Sequence, residues 1–177
     1  MKTRERVDDF WELIKYNYDQ LRFAEVKSSV VFSIYTLFFS AAYTIDVLDE
    51  ENVYDIQFNT IGDYLGLIIL LPAVYFTLHS IISCVRCFLP RFDKSDLKSP
   101  LFFGDIAMDN KDFSEYYQKL KSLRDRSLEY EKHLSHMAYV TGKIAFAKFN
   151  HVNTAIKSLM KSIALFVIYI ISLYIIR

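Results

Sequence analysis

Lys148 stands in the middle of an otherwise apolar helical face. Leu134, Met137, Thr141, Ile144, Ala145, Val152, Ala155 and Leu159 recur around it at the spacing of one side of a helix. An ammonium taken out of water is costly unless it meets a carboxylate or binds an anion. Two chemistries therefore fit Lys148: a salt bridge, with Glu25 or Asp105 as candidate partners, or a contact to a phosphate. A second face carries His136, Lys143, Asn150 and Lys157 at intervals of seven and reads as a solvated strip. Cys84-x-x-Cys87 offers two thiols, and His133 and His136 would complete the ligand types of a zinc site. The two pairs are far apart and no turn motif joins them, so no metal site is expected and the thiols read as buried at a helix end. His79 lies inside an apolar run, where a hydrogen bond to a neighbouring helix is its expected role.

Catalytic chemistry has little to stand on. The chain has only 4 glycines, too few for a Gly-rich phosphate loop, and no nucleophile sits in an elbow motif. The sequence reads as a non-enzyme without a cofactor.

The elements that must position these residues are written in the charges. Between Lys27 and Arg86 there is no lysine or arginine, although the chain has 21 in all. Ser28–Ile45 is uncharged for 18 residues and Tyr64–Val85 for 22. At a rise of about 1.5 Å per residue each is long enough to cross a hydrocarbon core of about 30 Å. The turn between them holds Asp46, Asp49, Glu50, Glu51, Asp55 and Asp63. Short loops rich in Lys and Arg stay cytoplasmic, so a loop with none is expected outside and the N terminus inside. On that topology the two thiols face a reducing compartment, which argues against a disulfide. A third run, Ser162–Ile176, is uncharged for 15 residues and reaches a crossing length if Leu159, Met160 and a snorkelling Lys161 are added. An interfacial or re-entrant C-terminal helix is the alternative.

The remaining segments read as cytosolic helices. In residues 1–27, Val7, Phe10, Trp11, Ile14, Tyr18 and Leu21 form an apolar stripe flanked by carboxylates, which suits packing against protein better than binding to lipid. No signal peptide is expected in this charged stretch, so the first run stays as a helix. Pro72 falls inside the second run, where membrane helices tolerate proline. Residues 91–111 hold Pro100 and Gly104 and read as a loop with at most short structure. Asp112 or Ser114 is a candidate helix cap, and a break is expected between Arg124 and Ser127. The expected fold is an all-α membrane protein with three transmembrane helices and a helical cytosolic region between the second and third. Its parts are a cytosolic amphipathic helix at 1–27, spans at 28–47, 64–88 and 159–177, an external loop at 48–63, and a cytosolic region at 89–158.

Three segments together resemble the Pycsar transmembrane effectors, bacterial anti-phage proteins. Arg22-Phe23-Ala24-Glu25-Val26-Lys27-Ser28-Ser29 is similar to the family's Ala-Asp-x-Lys-Ala/Ser pattern, with Glu25 in the place of the acid. Ser99-Pro100-Leu101-Phe102-Phe103-Gly104-Asp105 is similar to its Phe-Phe-Gly segment. Gly142-Lys143-Ile144-Ala145-Phe146-Ala147-Lys148-Phe149, leading into Asn153-Thr154-Ala155, is similar to its lysine-centred helix, with Thr141-Gly142 replacing the usual Asn-Ser pair.

The resemblance covers roughly residues 20–176 and implies a ligand and a role. A partner cyclase would make cyclic UMP or cyclic CMP on infection. The effector would sense it and disrupt the bacterial inner membrane, giving abortive infection. A cyclic mononucleotide needs a cation for its phosphate and a flat apolar surface for its base. Lys27, Lys143 and Lys148 are the candidate cations. Phe102 and Phe103 would cover the base, and Gly104 would allow close backbone approach. Glu25, Asp105 and Asn153 are candidates for structural or coupling roles. Three spans are too few to enclose a pore, so a homo-oligomer is expected, and a nucleic acid polymer is not an expected partner. A ligand-independent small channel and a membrane scaffold recruiting a cytosolic partner are the alternative functions.

Overall fold

The computed structural model describes residues 2–48, 61–89 and 97–176; 92% of them are helical and none is in a strand. Asp49, Glu50, Glu51 and Asp55 of the acidic turn, and Pro90 and Arg91, lie outside the described residues. The elements are α1 (Lys2–Leu48), α2 (Ile61–Phe88), α3 (Phe103–Met108), α4 (Phe113–Asp125) and α5 (Ser127–Ile176). The all-α class expected from the sequence is observed, and α1, α2 and α5 are long and apolar enough to cross a membrane.

Local chemistry sets the helix ends. The Asp112 carboxylate accepts the Glu115 N–H at 2.8 Å, and Glu115 reaches back to the Lys111 N–H at 3.0 Å. These bonds occupy backbone donors that the first turn of α4 cannot satisfy. Arg126 leaves the helical region at φ −109° and ψ 84°, so α4 and α5 break where the sequence indicated. α2 continues through Pro72.

The chain divides into two units, Met1–Phe23 with Pro90–Lys148 and Ala24–Leu89 with Phe149–Arg177. The first has a water-soluble protein's core: Ile14, Leu134, Met137 and Ala138 are buried, with Val7, Phe10, Leu101 and Tyr130 packed on them. Each fully buried large aliphatic side chain is worth about 1.5–3 kcal/mol here. Trp11 and Tyr18, which the sequence placed on the apolar stripe, are each 41% exposed. The buried face of α1 instead follows Val7, Phe10, Ile14, Asn17, Leu21 and Ala24, alternating steps of three and four.

In the second unit lipid removes most of the hydrophobic drive between helices, so close packing and polar contacts must hold them together. The packed face of α2 is accordingly small: Gly66, Ala73, Thr77, Ser80, Cys84 and Cys87. A Cβ on Gly66 would lie 3.2 Å from the Tyr169 ring, so the missing side chain makes room for that ring. Polar contacts join α2 to α5: Ser80 Oγ to the Ala155 carbonyl at 2.8 Å, His79 Nδ1 with Ser158 Oγ at 2.9 Å, and Thr77 Oγ1 with Ser162 Oγ at 2.5 Å. His79 thus meets a neighbouring helix. On α5 the buried face repeats every seven residues, through Leu134, Thr141, Lys148, Ala155, Ser162 and Tyr169, the period of a left-handed helical seam.

Candidate functional site

Two places in the first unit have the form of a site. The first is built by the Ser99–Asn110 segment. The Ser99 carbonyl accepts the Phe102 N–H at 3.0 Å, the Ser99 hydroxyl accepts the Leu101 N–H at 3.3 Å, and Asp105 Oδ2 accepts the Ser99 N–H at 2.7 Å. Asp105 is therefore the latch of its own turn. The Asn110 amide donates to the Ile106 carbonyl at 3.0 Å and closes the far end of α3. The cavity beside this turn, about 360 Å³, is lined by Lys98, Ser99, Pro100, Asp105, Asp109, Asn110 and Lys119. Its cations are already engaged. Lys98 pairs with Asp109 at 2.5 Å, which holds its ammonium above the ordinary lysine range. Lys119 donates to the Asp109 carbonyl at 2.9 Å and pairs with Glu115 at 2.8 Å. That hydrogen bond, with the Lys111 N–H, holds the Glu115 carboxyl below its usual range. Two carboxylates balance two lysines, which makes this cavity a poor phosphate site.

The second place is an open groove of about 570 Å³ between α1 and α5. Phe10, Leu13 and Asn17 form one side; Ser135, Ala138, Tyr139, Gly142, Lys143 and Phe146 form the other. Tyr139, Lys143 and Phe146 follow one another by four and three residues, so the lysine stands between two exposed aromatic rings. Asn17 holds the floor. Its amide donates to the Ala138 carbonyl at 2.9 Å and the Thr141 hydroxyl at 3.1 Å. A Cβ on Gly142 would sit 3.4 Å from that amide, at ordinary contact distance. A cation flanked by flat apolar surfaces suits an anionic ligand with an aromatic part.

The sequence-expected residues separate along these lines. Lys143 lines the groove. Phe102, Phe103, Gly104 and Asp105 belong to the turn and do not line the groove; Gly104 is buried, and the Phe102 and Phe103 rings lie 5.0 Å apart with Phe103 largely exposed. Lys148, of the first unit, is 6% exposed, so its burial is as its apolar setting implied. Lys27, Glu25 and Asn153 belong to the second unit: Lys27 lies 5.4 Å from the Phe149 ring centre, Glu25 is half-buried and Asn153 is exposed. Sequence reasoning missed Asn17. The signal was present, since Asn17 is the polar residue at a core step of the Val7–Phe10–Ile14 series.

His133 is also buried, and its Nδ1 has no partner among the described residues. Burial pushes its pKa below the ordinary imidazole value, while Glu129 pulls the other way. Among the described residues no group of three or more His, Cys, Asp or Glu is arranged to hold a metal.

No curated protein and no solved structure matches the chain. A family model described as the Pycsar effector protein domain matches residues 9–176, from the first turns of the α1 stripe to the last turn of α5. Three apolar helices, the turn latched by Asp105 and the lysine-bearing α5 all fall inside that match, and the chain belongs to the Pycsar effector family of anti-phage defence proteins.

Proposed function

We propose that this protein is a cyclic-nucleotide-gated membrane effector. It binds cyclic UMP or cyclic CMP, made by a partner pyrimidine cyclase, and breaches the bacterial inner membrane so that the infected cell stops supporting phage growth. It does this without catalysis, as a homo-oligomer, with its N terminus in the cytoplasm. The observation that carries the reading is the family match over residues 9–176 in a chain with three membrane-length helices.

The nucleotide seats in the α1–α5 groove. Lys143 faces the phosphate, Tyr139, Phe146 and Phe10 cover the base, and Asn17 fixes the floor. The groove is favoured over the Asp105 cavity because it sets a lysine between two exposed aromatic rings, Tyr139 and Phe146. Lys143 and the third apolar run lie on one uninterrupted helix of 50 residues. A ligand can shift such a protein only through different affinity for two arrangements. A turn of α5 about its axis, favoured by the bound nucleotide, is the rearrangement proposed.

Liposomes loaded with dye and carrying the full chain test this. Cyclic UMP or cyclic CMP is expected to release dye, and Lys143→Ala to abolish the response. Release without nucleotide favours the ligand-independent channel. No release under any condition, with intact incorporation, removes the effector reading and favours a scaffold.

A further inference from the structure

The contacts between α2 and α5 fix the level along α2 of each residue in the second-unit part of α5, 149–176. Ala155 lies level with Ser80, Ser158 with His79, Ser162 with Thr77, and Tyr169 with Gly66. Followed back along antiparallel helices, the level of Arg86 on α2 is reached on α5 near His151. Lys157 and Lys161 both lie inside that level. The Lys161 ammonium sits over the Phe76 ring, 5.0 Å from its centre, and Phe76 is about 15 Å along α2 from Arg86. A four-carbon stem does not bring a charge at that depth to the interface.

These two lysines are not alone. Asn150, Thr154, Lys157 and Lys161 follow one another by four, three and four residues, with Asn153 beside them, and all five are exposed. Thr154 meets its own need by donating to the Asn150 carbonyl at 2.8 Å. One such bond leaves an asparagine amide a second N–H and an oxygen to satisfy, and an ammonium two more donors and its charge. No carboxylate occurs in Ser28–Ile45, in Tyr64–Val85 or in 152–173 to neutralise them. Lipid is the wrong neighbour for this face, because ionisable groups at membrane depth face protein or water. We propose that the Asn150–Lys161 face of α5 lines an aqueous, anion-conducting passage enclosed by several copies of the chain. One chain has too few spans to enclose it, and rings of lysine select anions. The inference rests on the reading of the chain as a membrane-breaching effector, and gives that breach a wall and a charge preference.

Two measurements test it separately. With Cys84 and Cys87 replaced by serine, nitroxide labels at Lys157→Cys and Lys161→Cys in liposomes are expected to be shielded from oxygen relative to Leu71→Cys, which is exposed on α2. Labels as oxygen-accessible as the Leu71→Cys control overturn the proposal whatever the conductance. In planar bilayers under a potassium chloride gradient, nucleotide-evoked current is expected to prefer chloride. Lys157→Glu with Lys161→Glu is expected to lower the chloride-to-potassium permeability ratio several-fold and reverse the sign of the preference, while Lys157→Arg with Lys161→Arg keeps it. A wild-type preference for potassium, or selectivity indifferent to the reversal, also overturns it. Silence with both nucleotides, together with shielded labels, removes nucleotide sensing and leaves the passage standing.

Discussion

Lys143 and Asn17 sit in one groove but carry different burdens. Lys143 is exposed, so Lys143→Ala is expected to leave helicity unchanged; with the nucleotide seated as proposed, the change takes away a charge-assisted hydrogen bond and is expected to weaken cyclic UMP or cyclic CMP binding by about tenfold or more in calorimetry. Asn17→Ala acts on the fold. Ala138 and Thr141 lose a buried partner, at a cost of about 1 kcal/mol. Urea unfolding in detergent, followed by the single tryptophan, Trp11, measures it. His133 gives the same unit a pH dependence. Its folded pKa lies below the unfolded one. Above about pH 6.5 both states are neutral and the group contributes nothing. As pH falls through that value the unfolded chain takes the proton first, so stability drops, levelling off once the folded state protonates too. The urea midpoint is expected to fall between about pH 7.5 and 5.5, and His133→Phe to flatten the slope.

At the scale of elements, two kinds of helix pairing share α1 and α5. In the first unit buried aliphatic side chains do the holding; in the second, small residues and hydroxyls do. Intramembrane hydrogen bonds contribute about 0.6 kcal/mol on average. A double-mutant cycle on Thr77→Val and Ser162→Ala, read from unfolding in bicelles, is expected to return a coupling of that order. Asp112→Ala removes the α4 cap and is expected to cost about 1 kcal/mol. Much of this layer was legible. Uncharged length announced the three long helices, and the polar cluster around Arg124–Ser127 announced the α4–α5 break. The α1 stripe was legible only in part. Trp11 and Tyr18 are as apolar as their neighbours, and a sequence does not say which side of a wide stripe finds a partner. Asn17 went unread for the converse reason, since a polar residue on a core face gains its meaning from the Ala138 carbonyl and Thr141 hydroxyl opposite it.

For the whole molecule, the lysines divide by setting rather than by sequence motif. Lys98 and Lys119 are neutralised within their turn, Lys143 flanks a groove, Lys148 is buried, and Lys157 and Lys161 stand exposed on the part of α5 that packs beside α2. The sequence already set Lys148 apart on an apolar face and Lys143 and Lys157 on a polar strip; packing adds which lysines are paired, since nothing in their spacing tied Lys98 to Asp109. The Phe-Phe-Gly segment teaches the same lesson. Its family likeness suggests a ligand role, and its hydrogen bonds show the turn that holds it in place.

Cys84 and Cys87 are free thiols, wholly enclosed on the packed face of α2. Nothing the size of a maleimide can reach them while α2 stays seated. Their alkylation is therefore a clock built into the chain: its rate rises with the share of time the bundle stands parted. Adding cyclic UMP or cyclic CMP to the wild-type protein in liposomes is expected to speed that clock, and Lys143→Ala to leave it at the resting rate.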